Sequence, residues 1–358
     1  MRNIDRIRIH ANKETAILIK SKPMKKYIET ISGGAIDVLI TSEKDYLILD
    51  GRYILEAENY KKDYIVIENT PAQTGKPNFD VIENICIEKG ILNLKIESEA
   101  YTPVEYLKMC GGRLNILPFD DEIRKIKMIK SEEEIKIMKE ACEITDKVFN
   151  NVLKHIKLGM TENELSGWVH YYSMKYGAEG MSFSPVISSG ERTAYPHARP
   201  TERKICRNEP VMIDFGIIYK GYQTDITRTV FTGKPSEIMM EIYNIVKMAQ
   251  QAGLNAIKAG NLAKDADTAA RNIIEKYGYG KYFDHGLGHG IGTDNSTELP
   301  KLNQKSKEIL EKGMIMSCEP GIYIPGMGGV RIEDTVCIIK DKGISLNNIT
   351  KDMIILEV

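Results

Sequence analysis

The chain has 358 residues, longer than one ordinary domain, and its 49 basic side chains nearly cancel 50 acidic ones to leave a formal net charge of -1, so two domains of unequal size are expected. So even a balance offers no electrostatic footprint for nucleic acid or another polyanion, and 42% hydrophobic content is that of a soluble globular chain. The opening stretch MRNIDRIRIHANKETAILIK is interrupted by charges throughout; it predicts neither a secretory signal nor a membrane span, and the expected location is the cytoplasm.

From Ala16 to about Pro118 the pattern alternates short strands and helices. Val38-Leu39-Ile40, Tyr46 to Leu49 and Tyr64 to Ile67 read as strands, and Lys76 to Lys89 and Tyr101 to Lys108 as helices. Asp50-Gly51-Arg52-Tyr53 is the most distinctive tetrapeptide here, and a turn followed by a helix start accounts for it. The acidic run Asp120-Asp121-Glu122 followed by the basic run Arg124 to Lys127 marks a composition shift. The domain boundary is expected there, giving residues 1–122 and 123–358.

Beyond it, Ser131 with Glu134 and Thr161 with Glu164 are capping boxes, each opening a helix. The first carries an apolar stripe from Ile135 through Met138, Cys142, Val148 and Phe149 to Val152, and the second ends at Tyr176-Gly177. His155 and His170 on these helices read as structural. His197 lies in the proline-flanked loop Tyr195-Pro196-His197-Ala198-Arg199-Pro200, where an imidazole is held in a fixed direction. Met212 to Thr229 then gives two strand-like runs, each with an aspartate, Asp214 and Asp225, joined through a turn at Tyr219 to Tyr222. Carboxylates among Ile213 and Phe215 stay ionised only if something compensates for lost hydration. A cation would do so; taken singly, each aspartate also reads as a turn or edge residue.

The pattern then repeats. Ser236 to Ile257 and Ala263 to Tyr277 read as a second helix pair, and Gly313 to Thr335 as a second hairpin in which Glu319 and Glu333 parallel Asp214 and Asp225. A duplicated helix-helix-hairpin unit would point four carboxylates into one pocket. The glycine-rich stretch Asp284 to Gly292 lets His289 approach the same centre. Four carboxylates with one imidazole suit two divalent ions. The six cysteines lack a C-x-x-C pair and read as reduced, structural thiols.

The order Asp214, Asp225, His289, Glu319, Glu333, within DFG, TDITRT, GHGIG, CEPGIY and RIEDTV, resembles the pita-bread metallopeptidases: Xaa-Pro aminopeptidases, prolidases and methionine aminopeptidases. The extra N-terminal segment with Asp50 to Tyr53 resembles the aminopeptidase P and prolidase branch. The resemblance implies an α+β fold: a C-terminal pita-bread catalytic domain preceded by a smaller α/β creatinase/prolidase-like domain. It implies two divalent ions, manganese in this branch with cobalt, zinc or iron as options, sharing a hydroxide. Asp214 would chelate one ion, Asp225 and Glu333 would bridge both, and His289 and Glu319 would hold the second. Glu319 would also shuttle the proton; His197 and His285 would face substrate; Tyr323 and Arg331 would support the bridging carboxylates and the substrate end, with Thr227 behind Asp225. The implied substrate is a proline-containing peptide or dipeptide, and the implied assembly a homodimer. One departure stands out: no histidine follows His289, where the family places a further one near Ser296. Two other functions remain open on the sequence: an amidohydrolase of a small non-peptide C-N bond, and a metal-stabilised peptide-binding relative with weak catalysis.

Overall fold

Runs of β-branched and other apolar residues build the first unit's central sheet. Its strands are β1 (Thr15–Ile19), β2 (Ile36–Ile40), β3 (Asp45–Leu49), β4 (Tyr64–Glu68), β5 (Asn93–Ile96) and β6 (Asn115–Pro118), in the order β4-β3-β2-β1-β5-β6. The computed structural model describes residues 2–294 and 298–358 and divides into two units, Met1–Ile126 and Lys127–Val358. Along β1 every residue is buried. Ile17 and Ile19 face one core with Met24 and Tyr27, whereas Ala16 and Leu18 face another with Ile82 and Cys86, as period-2 alternation requires when both sheet faces are covered. The predicted strands and helices are found within a few residues; β1, β5 and β6 were not singled out from sequence.

The break between units falls after Ile126, inside the helix Asp120–Met128, rather than at 122/123. Ile123 and Ile126 on that helix pack with the first unit's core, while Met128 and Ile129 pack with a core of the second.

In the second unit the helix Glu132–Val152 and the helix Glu162–Lys175 each begin with the predicted capping box, a feature worth about 1 kcal/mol per helix. Their buried faces pack on a hairpin formed by Pro210–Phe215 and Ile226–Phe231, through Phe149, Leu165, Ile213 and Val230 among others. The second pair, Glu237–Ala256 and Ala263–Lys276, packs in the same manner on Ile315–Cys318 and Asp334–Ile339. The duplication is thus visible as two parallel cores, each a helix pair laid on a hairpin.

Both hairpins differ from a simple two-strand turn. The main strands pair antiparallel, with Asp214 opposite Thr227 and Cys318 opposite Asp334. A small secondary hairpin is inserted at each tip: Ile217–Tyr219 with Tyr222–Gln223, and Gly321–Ile324 with Gly328–Arg331. Asp214 and Asp225 therefore do not face each other across a ladder. Asp225 stands just before its strand, as Glu333 does before Asp334–Ile339.

Candidate metal centre

The two hairpins meet along hydrogen bonds that link one repeat to the other. Glu333 N donates to the Thr227 carbonyl (3.1 Å), Thr335 Oγ1 to the Asp225 carbonyl (2.9 Å), and Thr229 Oγ1 to the Arg331 carbonyl (3.1 Å). This seam brings ligand-capable oxygens of Asp214, Asp225 and Glu333 within 4.8 Å of one another, all three residues being buried. His289 joins them, its Nε2 lying 3.5 Å from Asp225 Oδ2 and 3.6 Å from Glu319 Oε1. The five residues expected as ligands are therefore assembled at one place.

Close backbone approach makes His289 reach it. The short strand Gly288–His289 runs against Ser317, and a Cβ on Gly288 would lie 2.2 Å from the Ser317 carbonyl oxygen. Only glycine fits there. His289 Nδ1 lies 3.0 Å from the Gly290 carbonyl; a carbonyl can only accept, so Nδ1 carries a proton and Nε2 is the nitrogen turned to the carboxylates, the one whose lone pair a metal ion would take.

The electrostatics ask for positive charge. Burial drives the Asp214 carboxyl up to about 7, opposed by Arg331 and aided by the charges of Asp225 and Glu319. Burial likewise raises Asp225, and it raises Glu333 well above the usual range with the charges of Asp225, Glu319 and Asp214 adding to it. His289 moves the opposite way from what burial alone would do: its neighbours Asp225 and Glu319 raise it to about 9. In the absence of a cation, the centre holds protons in its place. Asp214 Oδ1 and Glu333 Oε1 are buried with no hydrogen-bond partner, a cost that native interiors avoid unless a ligand satisfies the group. The donor set of carboxylate oxygens and one imidazole thus fits divalent metal ions.

Supporting residues are distributed differently from expectation. Thr227 Oγ1 donates to Glu333 Oε2 (2.6 Å), not to Asp225, and accepts from Arg331 Nε (3.0 Å). Arg331 spends Nη2 on Asp214 Oδ2 (2.5 Å), the ligand read as terminal, and Nη1 on the Tyr323 hydroxyl (2.9 Å) and the Pro196 carbonyl (3.2 Å). The Tyr323 hydroxyl in turn lies 2.9 Å from His285 Nε2, while His285 Nδ1 lies 2.8 Å from the Gly286 carbonyl. Burial lowers the imidazole's pKa, so the ring is neutral: Nδ1 donates to Gly286 and Nε2 accepts from Tyr323. The donor role expected for His285 is not built here, because neither nitrogen has a proton left for substrate. His197 is exposed in its loop and lines the cavity. Ser296 and Asn295, where the absent histidine was expected, lie outside the described residues.

Two supporting residues escaped the sequence reading. Ser317 Oγ accepts from His289 N (3.0 Å) and donates to Glu319 Oε1 (2.9 Å); strand alternation places Ser317 on the face of Glu319, a signal available in the sequence. Arg228 uses all five N–H groups, on the carbonyls of Thr350, Thr227, Glu333 and Ile349 and on Asp334 Oδ1. It fixes the backbone that carries Glu333.

The centre opens into a cavity of about 850 Å³ whose lining includes Phe183, His197, Arg199, His285, Lys301 and Glu319. Residues 136–340 match metallopeptidase family M24. The chain is similar to the Xaa-Pro dipeptidase of Pyrococcus horikoshii, at 38% identity over 354 residues, 94% of this chain and 99% of that one. It is also similar to the Xaa-Pro dipeptidase of Pyrococcus furiosus, at 41% identity over 277 residues, 77% and 79% of the two chains. Among solved structures, an Xaa-Pro dipeptidase from Bacillus anthracis matches with a TM-score of 0.92 at 37% identity, covering 99% of each chain. An X-Pro aminopeptidase from Thermotoga maritima matches with a TM-score of 0.89 at 31% identity, covering 98% of this chain and 99% of that one.

Proposed function

The chain belongs to metallopeptidase family M24, and from that membership we propose the roles its residues take in hydrolysing Xaa-Pro peptides with divalent metal ions. The observation that carries the reading is the convergence of Asp214, Asp225 and Glu333 within 4.8 Å, with Asp214 Oδ1 and Glu333 Oε1 unpartnered and His289 and Glu319 alongside. These five side chains would hold the ions. Bound there, divalent ions supply Lewis acidity toward the scissile carbonyl and acidify water.

The chain's own groups do the rest. The Glu319 side chain is 19% exposed, against 9% for Asp225 and 11% for Asp214, so it is the carboxylate that substrate reaches and the one assigned to carry a proton to the leaving amine. Ser317 holds Glu319 at Oε1. Arg331 opposes the burial-driven rise of the Asp214 carboxyl and aligns it, and Tyr323 ties Arg331 to His285. His197, exposed toward the cavity, is the imidazole left to donate to the peptide carbonyl or its developing oxyanion.

Dipeptides are the proposed preferred substrates. Support comes from the names of the Pyrococcus and Bacillus relatives and from Arg199 and Lys301 in the cavity lining, cations of the charge that a dipeptide's carboxylate requires close to the scissile bond. Manganese, a homodimer and a cytoplasmic location complete the proposal. Carboxylate and imidazole donors suit manganese, and among the described residues no helix is long and apolar enough to cross a membrane.

The test is to load the protein with manganese and assay Xaa-Pro dipeptides beside longer peptides with proline second. Turnover of neither, despite stoichiometric metal, overturns the reading; faster turnover of the longer peptides overturns the dipeptide preference alone.

A further inference from the structure

Outside the centre, one buried carboxylate has an unusual share of donors. Glu162, the first residue of the helix Glu162–Lys175, has a fully buried side chain. Its Oε1 accepts from Ser189 N (2.8 Å) and Ser189 Oγ (3.0 Å). Its Oε2 accepts from Thr201 N (3.0 Å), Thr201 Oγ1 (2.8 Å) and Arg192 Nη1. A capping role at a helix start needs none of this: the Thr161–Glu164 box already caps the helix.

The partners of Glu162 share one property. Ser189 and Thr201 are the two ends of the segment 189–201, and Arg192 lies within it, its Nη2 donating to the Arg199 carbonyl (2.9 Å). That segment carries Pro196, His197 and Arg199 into the cavity. His197 makes up no part of a strand or helix, so its direction depends on what fixes the loop. Two attachments lie between its ends: the Thr193 hydroxyl accepts from Gly329 N (2.7 Å), and the Pro196 carbonyl accepts from Arg331. At both ends the loop is bound to Glu162, beside the sheet pairing of Ser189 with Val211 and the bond from Asn163 N to the Thr201 carbonyl (3.1 Å).

We propose that Glu162 is a positioning residue for catalysis: its single carboxylate clamps both ends of the 189–201 loop and thereby aims His197 at the substrate. The chemistry favours a carboxylate over any neutral group. Five donors converge on two oxygens, one of them a guanidinium, and charge-assisted bonds of this kind are stronger and more directional than neutral ones. A carboxylate with no donor of its own can accept from all five, whereas an amide would turn a donor of its own toward one set of partners. This inference rests on the proposed substrate-facing role of His197.

Glu162→Gln, which keeps the volume, tests it in the metal-loaded full chain, with Thr201→Val as a milder variant that removes one donor and leaves the buried charge paired. Hydrogen exchange should accelerate in peptides spanning 189–201, which contain the two amides bound to Glu162, while metal stoichiometry stays at the parent value. kcat/KM for an Xaa-Pro dipeptide should fall by about ten- to a hundredfold in Glu162→Gln, the scale of a misplacement of about 1 Å, and by less in Thr201→Val. Introduced into His197→Ala, Glu162→Gln should cost less than about twofold more, because a residue acting through another loses its effect when that other is gone. Full additivity in this cycle, unchanged exchange, or an opened loop with unchanged kcat/KM would each overturn the clamp. If His197→Ala alone leaves kcat/KM at the parent value, the failure lies in the assignment of His197, and the clamp's catalytic role falls with it.

Discussion

Replacing Glu333 by glutamine separates the two consequences of crowding four carboxylates in one place. In the metal-free protein the Glu333 carboxyl is raised well above its ordinary range by burial and by Asp225, Glu319 and Asp214, so its surroundings favour the neutral form, for which an amide is a close substitute. Glu333→Gln without metal is therefore expected to stay within about 1 kcal/mol of the parent, unlike the loss usual for a buried, hydrogen-bonded acid. With metal the two proteins diverge. Ligand present at about a thousand times its Kd stabilises the parent by about 4 kcal/mol, a rise of about 8–16 °C at about 2–4 °C per kcal/mol for a unit of this size. Glutamine withdraws an anionic ligand, and the variant should recover less than about a third of that rise.

The pH dependence has a definite sign. Asp214 at about 7 and Asp225 and Glu333 also raised mean that the folded metal-free protein binds more protons than the unfolded chain above the ordinary carboxylate range. Its stability is fully present below the unfolded values and falls as pH climbs through the folded ones. Metal needs the ionised forms, so the metal-induced rise should grow over the same window. Scanning calorimetry from about pH 5 to about pH 8, with chelator and with manganese, reads both effects. A metal-induced rise unaffected by Glu333→Gln, or independent of pH, would refute the assignment of these carboxylates as ligands.

Four further outcomes follow from the hydrogen bonds. Ser317→Ala removes the hydroxyl between His289 N and Glu319, and should weaken metal affinity by about tenfold in a chelator competition, the scale of losing a supporting group. Tyr323→Phe breaks the link from Arg331 to His285 but leaves Arg331 on Asp214; kcat should fall by about ten- to a hundredfold, the scale of losing a supporting partner, with metal stoichiometry intact, and lost metal binding would contradict the separation of roles. Glu319→Ala should abolish turnover, and an unchanged rate would remove Glu319 from the chemistry. Burial alone would raise the carboxyl of Glu298, but the ammonium groups of Lys130 and Lys127, at 3.3 and 2.8 Å, outweigh it and hold the carboxyl low. That stability is present above the unfolded carboxylate value and is lost as pH falls through the folded one. Lys130→Met should cost about 3 kcal/mol and move the acid-unfolding midpoint to higher pH; an unmoved midpoint would show that the pair carries no such linkage.

Patterns confined to neighbours in the chain were legible in the sequence, because they repeat with the backbone's own periods. The capping boxes at Ser131 and Thr161, the stripe from Met138 to Val152 and the paired Asp214/Asp225 and Glu319/Glu333 are of this kind, and the repeat itself implied one pocket. The inserted secondary hairpins were not legible: Gly216, where a Cβ would lie 1.8 Å from the Thr224 carbonyl oxygen, forces a bend that a run of strand-forming residues does not announce. Nor was the strand β1 at the centre of the first unit, whose continuous burial erases the alternation that marks a one-sided strand.

The sequence by itself determined which side chains are the candidate ligands and in what order they come, since chemistry of that kind resides in residue type and local spacing. Only the tertiary structure decided which group supports which. Thr227 serves Glu333, 106 residues away, rather than its near neighbour Asp225; Arg331 reaches back 117 residues to Asp214; Tyr323 occupies Nε2 of His285, a residue expected to face substrate; and Glu162 binds both ends of the His197 loop. Each is a bond between segments brought together by the packing of two helix pairs on two hairpins, and no period in the chain encodes that meeting.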